Sequence, residues 1–165
     1  MESLPHTMTV VGAGIIGCEY ASVFAAIGVR VTLVDKRQRL LPFVDAEIVR
    51  ELEHELSKNR VTLRLGEEVD RSELVESSQG PKVNMHLVSG KQIVSDKVLY
   101  SIGRIGATES LNLGAVGLTP VERGLLNVDA HFRTEVPHIF AVGDVIGFPS
   151  LASTSMEQGR LAACY

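Results

Sequence analysis

In the first part of the chain, apolar positions alternate between two rhythms. Thr7–Val11 (TMTVV) is a short β-branched run that predicts a strand. The stretch IIGCEYASVFAAI, residues 15–27, then predicts a helix that stops at Gly28, since glycine ends helices by entering left-handed backbone without a Cβ clash. Val29–Val34 (VRVTLV) predicts a second strand. Asp45 is placed as the N-cap of a helix over residues 45–59, in which Ile48, Val49, Leu52 and Leu56 recur at helical spacing with a solvated charged face opposite. Val61–Leu65 (VTLRL) predicts a third strand. Strand–helix–strand–helix–strand in this order implies a parallel sheet covered by helices, because right-handed crossovers return each strand beside the previous one.

After Gly66 the rhythm changes. Lys82–Val88 (KVNMHLV) alternates polar and apolar between the turn signals SSQGP and SGK, which predicts an antiparallel meander with one wet face. Lys97–Ile102 (KVLYSI) is apolar enough to rejoin the main sheet. Thr108–Gly117 predicts a short helix or irregular loop, Leu125–Asp129 and His138–Val142 predict short strands, and the small-residue loop that follows opens a last helix. No repeat, low-complexity tract or long linker interrupts the pattern.

Composition narrows what such a fold can serve. With 165 residues, 45% hydrophobic and 22% charged, the chain suffices for one domain with a buried core. A net charge of −4 and a pI near 5.7 provide no broad positive field for nucleic acid or an anionic membrane, so any phosphate binding has to come from local geometry. Met8–Cys18 is too short to cross a bilayer, and MESLPH carries an acid where a signal peptide would be basic, so a cytoplasmic protein without a membrane partner is expected. Two cysteines, Cys18 and Cys164, make neither a disulfide framework nor a zinc motif and read as inert packing residues. His6, His54, His86, His131 and His138 show no ligand spacing, no GxSxG turn occurs, and no catalytic acid pair is suggested by spacing; no metal ligand and no catalytic residue is assigned.

The chemistry begins at Gly12-Ala-Gly14-Ile15-Ile16-Gly17. Glycines at this spacing are a weak signal alone, but here they follow a strand, open a helix, and precede a second strand ending in Asp35. Gly12 permits the tight turn, Gly14 lets the backbone approach a pyrophosphate, and Gly17 lets helix and strand pack closely. The helix start through Ile15 and Ile16 offers free N–H groups and a partial positive charge to phosphates. The predicted fold is therefore α/β, a Rossmann-like parallel sheet with helices on both faces plus an antiparallel β-meander. Asp35 is placed to accept from an adenosine ribose, which favours NAD(H). Lys36, Arg37 and Arg39 directly after it fit either a 2′-phosphate, and so NADP(H), or an ordinary solvated turn.

GAGIIGCEYASVFAAIGVRVTLVD, YSIGR and IFAVGDVIGFPSLAS, in this order, resemble the inserted pyridine-nucleotide domain of the two-dinucleotide-binding flavoprotein disulfide reductases, with a flanking piece of their FAD domain. The resemblance implies residues 1–135 as the NAD(P)(H)-binding domain and 136–165 as a partial FAD-domain segment. It implies a larger, homo-oligomeric parent carrying FAD, of which this chain alone would have no turnover.

The same resemblance implies site roles. Glu19 matches an acid beside the nicotinamide carboxamide, though a surface acid near a helix start fits equally. Gly103 and Arg104 match the strand-end pair on the nicotinamide side, with IGATES continuing where many members have a proline and an asparagine. Val69 matches an apolar residue beside the adenine, with a plain core valine as the alternative. Asp144 matches the carboxylate that accepts from the flavin ribityl chain, with a turn or N-cap aspartate as the alternative, and Leu151 and Ala152 would follow the flavin ring by backbone contacts. Ser153 stands where lipoamide dehydrogenases commonly have histidine, which inclines the reading to members that pass hydride from NADPH to NAD+ through FAD. A disulfide reductase such as lipoamide dehydrogenase, and a non-catalytic dinucleotide-binding module, are the alternatives.

Overall fold

Four parallel strands, β1 (Thr7–Val11), β2 (Arg30–Asp35), β3 (Val61–Leu65) and β7 (Lys97–Tyr100), lie in the order β3-β2-β1-β7 in a computed structural model describing residues 3–78 and 80–165. Met1, Glu2 and Gln79, the last within the expected SSQGP turn, lie outside the described residues. Helix α1 (Ile15–Ala26) joins β1 to β2 and α2 (Ala46–Lys58) joins β2 to β3. Between β3 and β7 run β4 (Val69–Val75), β5 (Lys82–Leu87) and β6 (Gln92–Ser95), an antiparallel sheet in the order β4-β5-β6. The chain forms two compact units, one ending at Gly103 and the other spanning Arg104–Tyr165.

Side-chain alternation sorts the first unit into two cores. Met8, Val10, Val31, Leu33 and Val61 point to one face of the parallel sheet, where both helices cover them with Cys18, Ala21, Val49 and Leu56. Val11 and Val34 point to the opposite face and meet Met85 and Leu87 of the meander. The parallel sheet, its helices and the antiparallel sheet are those expected, with one refinement: the meander, rather than a second helical layer, covers the second face. Each fully buried Leu or Val contributes about 1.5–3 kcal/mol, so the registers that align these residues are strongly specified.

Two expected details differ. Ile48 is 63% exposed, because the stripe of α2 runs through Val49, Leu52 and Leu56 and Ile48 sits a residue's rotation away from it. Cys164 is exposed rather than packed, whereas Cys18 is buried, and desolvation raises its thiol to about 11. Asp45 caps α2 as expected, accepting from the Glu47 N–H at 2.8 Å.

The second unit has little regular structure besides α3 (Ala152–Ala162). Thr108–Gly117 folds as two 3-10 turns, Glu109–Leu111 and Leu113–Val116. The strands expected over Leu125–Asp129 and His138–Val142 do not form; each run contributes a single bridge, Val121 with Leu125 and Arg133 with Phe140. Their N–H groups go to loop carbonyls, Leu126 to Val145 and Ala141 to Phe132, and so no ladder propagates. Among the described residues no helix is long and apolar enough to cross a membrane.

Candidate functional site

The glycine turn leaves β1 beside its neighbour β7. Gly12 has φ +102°, and a Cβ there would lie 2.5 Å from the Ser101 carbonyl oxygen, so glycine is required twice over. Ser101, just past the end of β7, fastens the turn: its N–H donates to Val11 O at 2.8 Å and its hydroxyl lies 3.0 Å from both Val11 O and Gly12 O. At Gly17 a Cβ would stand 1.7 Å from Gly12 O, so α1 reaches this depth only with glycine at that position. Gly14 is different. Its φ is an ordinary −79° and a Cβ would meet nothing within 4 Å.

Gly14 is also the N-cap of α1, with no side chain to cap the helix and no acid in the first turn. The first N–H groups of a helix have no intrahelical partner and sum to a partial positive charge. The space beside Gly14 at this helix start is open, with Ile15 half-buried and Ile16 38% exposed along the rim. This arrangement can hold an anionic group without any basic side chain.

Asp35 ends β2 next to this turn and is almost wholly buried. Its Oδ2 accepts from Ala13 N–H at 2.6 Å and Arg37 Nη2 at 2.6 Å; its Oδ1 accepts from Arg37 N–H at 2.8 Å and Arg37 Nε at 2.9 Å. Burial alone would raise the carboxyl, but the Arg37 side chain, the two backbone N–H groups and the guanidinium charge outweigh it and hold the pKa at about 2. The bend carrying these groups is tied down by Gly66 N–H to Arg37 O at 2.9 Å and Glu67 N–H to Asp35 O at 3.1 Å.

The three basic residues after Asp35 separate. Lys36 is exposed, 3.9 Å from Glu68. Arg37 grips Asp35 and keeps 43% of its side chain exposed. Arg39 turns inward to donate to the Val44 carbonyl, with its Nε buried and unpartnered, which ties this side chain to the Leu40–Val44 segment.

Of the remaining candidates in the first unit, Glu19 is exposed on α1, Gly103 has φ +141°, and Val69 packs against the second core. The second unit brings Arg104 and Asp144 together, Nη1 to Oδ2 at 2.7 Å, with both side chains substantially exposed. Asp144 sits in a tight turn after Gly143, whose N–H donates to Gln158 Oε1 at 2.7 Å. Leu151 is the N-cap of α3, and Ala152, its first residue, is exposed.

Two contributors went unnoticed in the sequence. The Ala13 N–H, directed at Asp35, has no side-chain signature. Ser101 had one, as the hydroxyl in YSIGR at a strand end, yet the need for it becomes visible only once β7 lies beside β1.

A family model described as pyridine nucleotide-disulphide oxidoreductase matches residues 1–159. The chain belongs to this family. It is 53% identical over 163 residues to a soluble pyridine nucleotide transhydrogenase of Mycobacterium bovis, covering 99% of this chain and 34% of that relative. Among solved structures it is similar to the flavoprotein disulfide reductase RclA from Escherichia coli, with TM-score 0.87 and 31% identity over 98% of this chain and 36% of that one. It is also similar to a water-forming NADH oxidase from Lactobacillus brevis solved with NADH, with TM-score 0.77 and 27% identity over 97% of this chain and 36% of the oxidase. The chain thus spans about a third of the length of the relatives it matches.

Proposed function

We propose that the chain supplies the NAD(P)(H)-binding part, residues 1–135, and an FAD-side segment, residues 136–165, of an FAD-dependent enzyme that moves hydride between NADPH and NAD+. One observation carries the reading: an uncapped α1 N-terminus, open beside Gly14, lies next to the carboxylate at the end of β2. The likeness to a soluble pyridine nucleotide transhydrogenase directs the choice of reaction.

In this reading Gly12, Gly14 and Gly17 shape the pyrophosphate cradle, and the N–H groups of Ile15, Ile16 and Gly17 bind it. Asp35 takes the adenosine ribose, while Lys36 and Arg37 take a 2′-phosphate. Glu19, Gly103 and Arg104 serve the nicotinamide side, and Val69 supports the adenine side from the core. Asp144 accepts from a flavin ribityl hydroxyl, and Leu151 and Ala152 follow the flavin ring. When bound, nicotinamide and flavin carry the hydride; the protein's own work is to bind and orient them.

Calorimetric titration with NADH and NADPH tests the reading. The chain is expected to bind both, and Gly14→Ala to weaken both by about tenfold or more, because a methyl group enters the space the pyrophosphate needs. Unchanged affinity in Gly14→Ala would place the ligand elsewhere. The purified 165-residue chain is expected to show no transhydrogenation; turnover with stoichiometric FAD would overturn the proposed division of the site.

A further inference from the structure

We propose that Arg37 is a latch on Asp35 that lets one site take both dinucleotides, staying closed for the 2′-phosphorylated form and opening for the form with a free 2′-hydroxyl. The proposal rests on the dinucleotide reading given above.

A carboxylate offers about four acceptor positions. On Asp35 all are taken, two by the backbone N–H groups of Ala13 and Arg37 and two by the Arg37 fork. The backbone donors belong to the glycine turn and to the bend tied to Gly66 and Glu67, so they leave only if those segments unravel. The fork is on a side chain 43% exposed and can swing out. A ribose hydroxyl therefore finds no acceptor on Asp35 until Arg37 lifts. Lifting frees one position on each oxygen, which matches the two neighbouring hydroxyls of an unphosphorylated adenosine ribose.

A 2′-phosphate poses the opposite problem. A bare Asp35 would repel it, and a carboxylate this buried is only weakly screened by solvent. With the latch closed that charge is neutralised, and two of the five guanidinium donors are engaged, leaving three for the phosphate. Lys36, exposed and only loosely held by Glu68 at 3.9 Å, adds positive charge to the same rim. One arginine thereby serves as phosphate partner in one complex and as a displaced counter-ion in the other.

The test is calorimetric titration of the 165-residue chain, Arg37→Met and Arg37→Lys with NADH and with NADPH at fixed ionic strength, with far-UV circular dichroism to check the fold. Arg37→Met is expected to weaken NADPH by about tenfold or more, the loss of a charge-assisted pair, and to tighten NADH by about threefold because no latch has to open. Arg37→Lys keeps the charge but not the fork, so its NADPH affinity falls between and its NADH affinity rises. If the methionine variant unfolds, the sign of the NADH change in Arg37→Lys decides. Affinities that move in the same direction, or an unchanged NADH affinity, overturn the latch. An unsubstituted chain that binds neither dinucleotide overturns the reading beneath it.

Discussion

Replacing Gly17 by alanine tests how deeply α1 is seated. The added Cβ would lie 1.7 Å from the Gly12 carbonyl oxygen, roughly 1.6 Å inside a close carbon–oxygen contact of about 3.3 Å. The obstacle is backbone, and Ser101 holds that carbonyl at 3.0 Å, so no flexible side chain can yield. The helix has to retreat, taking Cys18 and Ala21 from Val10, Val31 and Leu33. Overpacking of this kind costs about 3 kcal/mol. Gly14→Ala is the matched control, because its φ is ordinary and nothing lies within 4 Å, so the expected change is within about 1 kcal/mol. Urea unfolding followed by circular dichroism should move the midpoint of Gly17→Ala down by about 1.5 M and leave that of Gly14→Ala nearly in place, taking an m-value of about 2 kcal/mol/M. A midpoint for Gly17→Ala within about 0.5 M of the unsubstituted chain would refute the packing argument.

Two further predictions concern the same end of the sheet. Asp35 titrates in the folded chain at about 2 against an ordinary 3.8, so it contributes about 2 kcal/mol of stability above pH ~4 that disappears as the pH falls through about 2. Acid unfolding of Asp35→Asn should show a shallower loss of stability across that window; an unchanged slope would remove the carboxylate from the acid limb. Ser101→Ala should cost about 1 kcal/mol in a urea titration and raise hydrogen exchange in the Gly12–Gly14 turn, because it deletes the hydroxyl contact to Val11 O and Gly12 O. Unaltered exchange there would mean that the Ser101 N–H suffices.

How much of this was legible depended on whether the cause was local. The parallel strands announced themselves because their buried faces are runs of Val, Leu and Met, and α2 because Asp45 and the Val49–Leu52–Leu56 stripe are local signals. β4 gave no such signal. VDRSELV is mostly exposed, and it is a strand because β5 beside it satisfies its backbone. HIFAV is the converse case, apolar and extended in composition, yet without a facing ladder its N–H groups turn to loop carbonyls. Strand propensity proposes, and an available partner backbone decides.

The site divides along the same line. Gly12, Gly14 and Gly17 could be assigned from spacing because each requirement is a backbone requirement, written into the residue type itself. The basic run after Asp35 could not, because Lys36, Arg37 and Arg39 are alike in sequence and differ only in what the bend presents to each. Arg39 finds the Val44 carbonyl, Lys36 finds solvent near Glu68, and Arg37 finds both oxygens of Asp35. Reading Asp35 as a free acceptor and Arg37 as a free cation overlooks that each is the other's first partner. A ligand at this position therefore competes with an ion pair already made, and its affinity is a difference between two sets of charge-assisted bonds rather than the sum of one. A 2′-hydroxyl and a 2′-phosphate draw on opposite halves of that difference, so a single substitution at Arg37 should move their affinities apart, whereas a substitution at Gly14 should move them together.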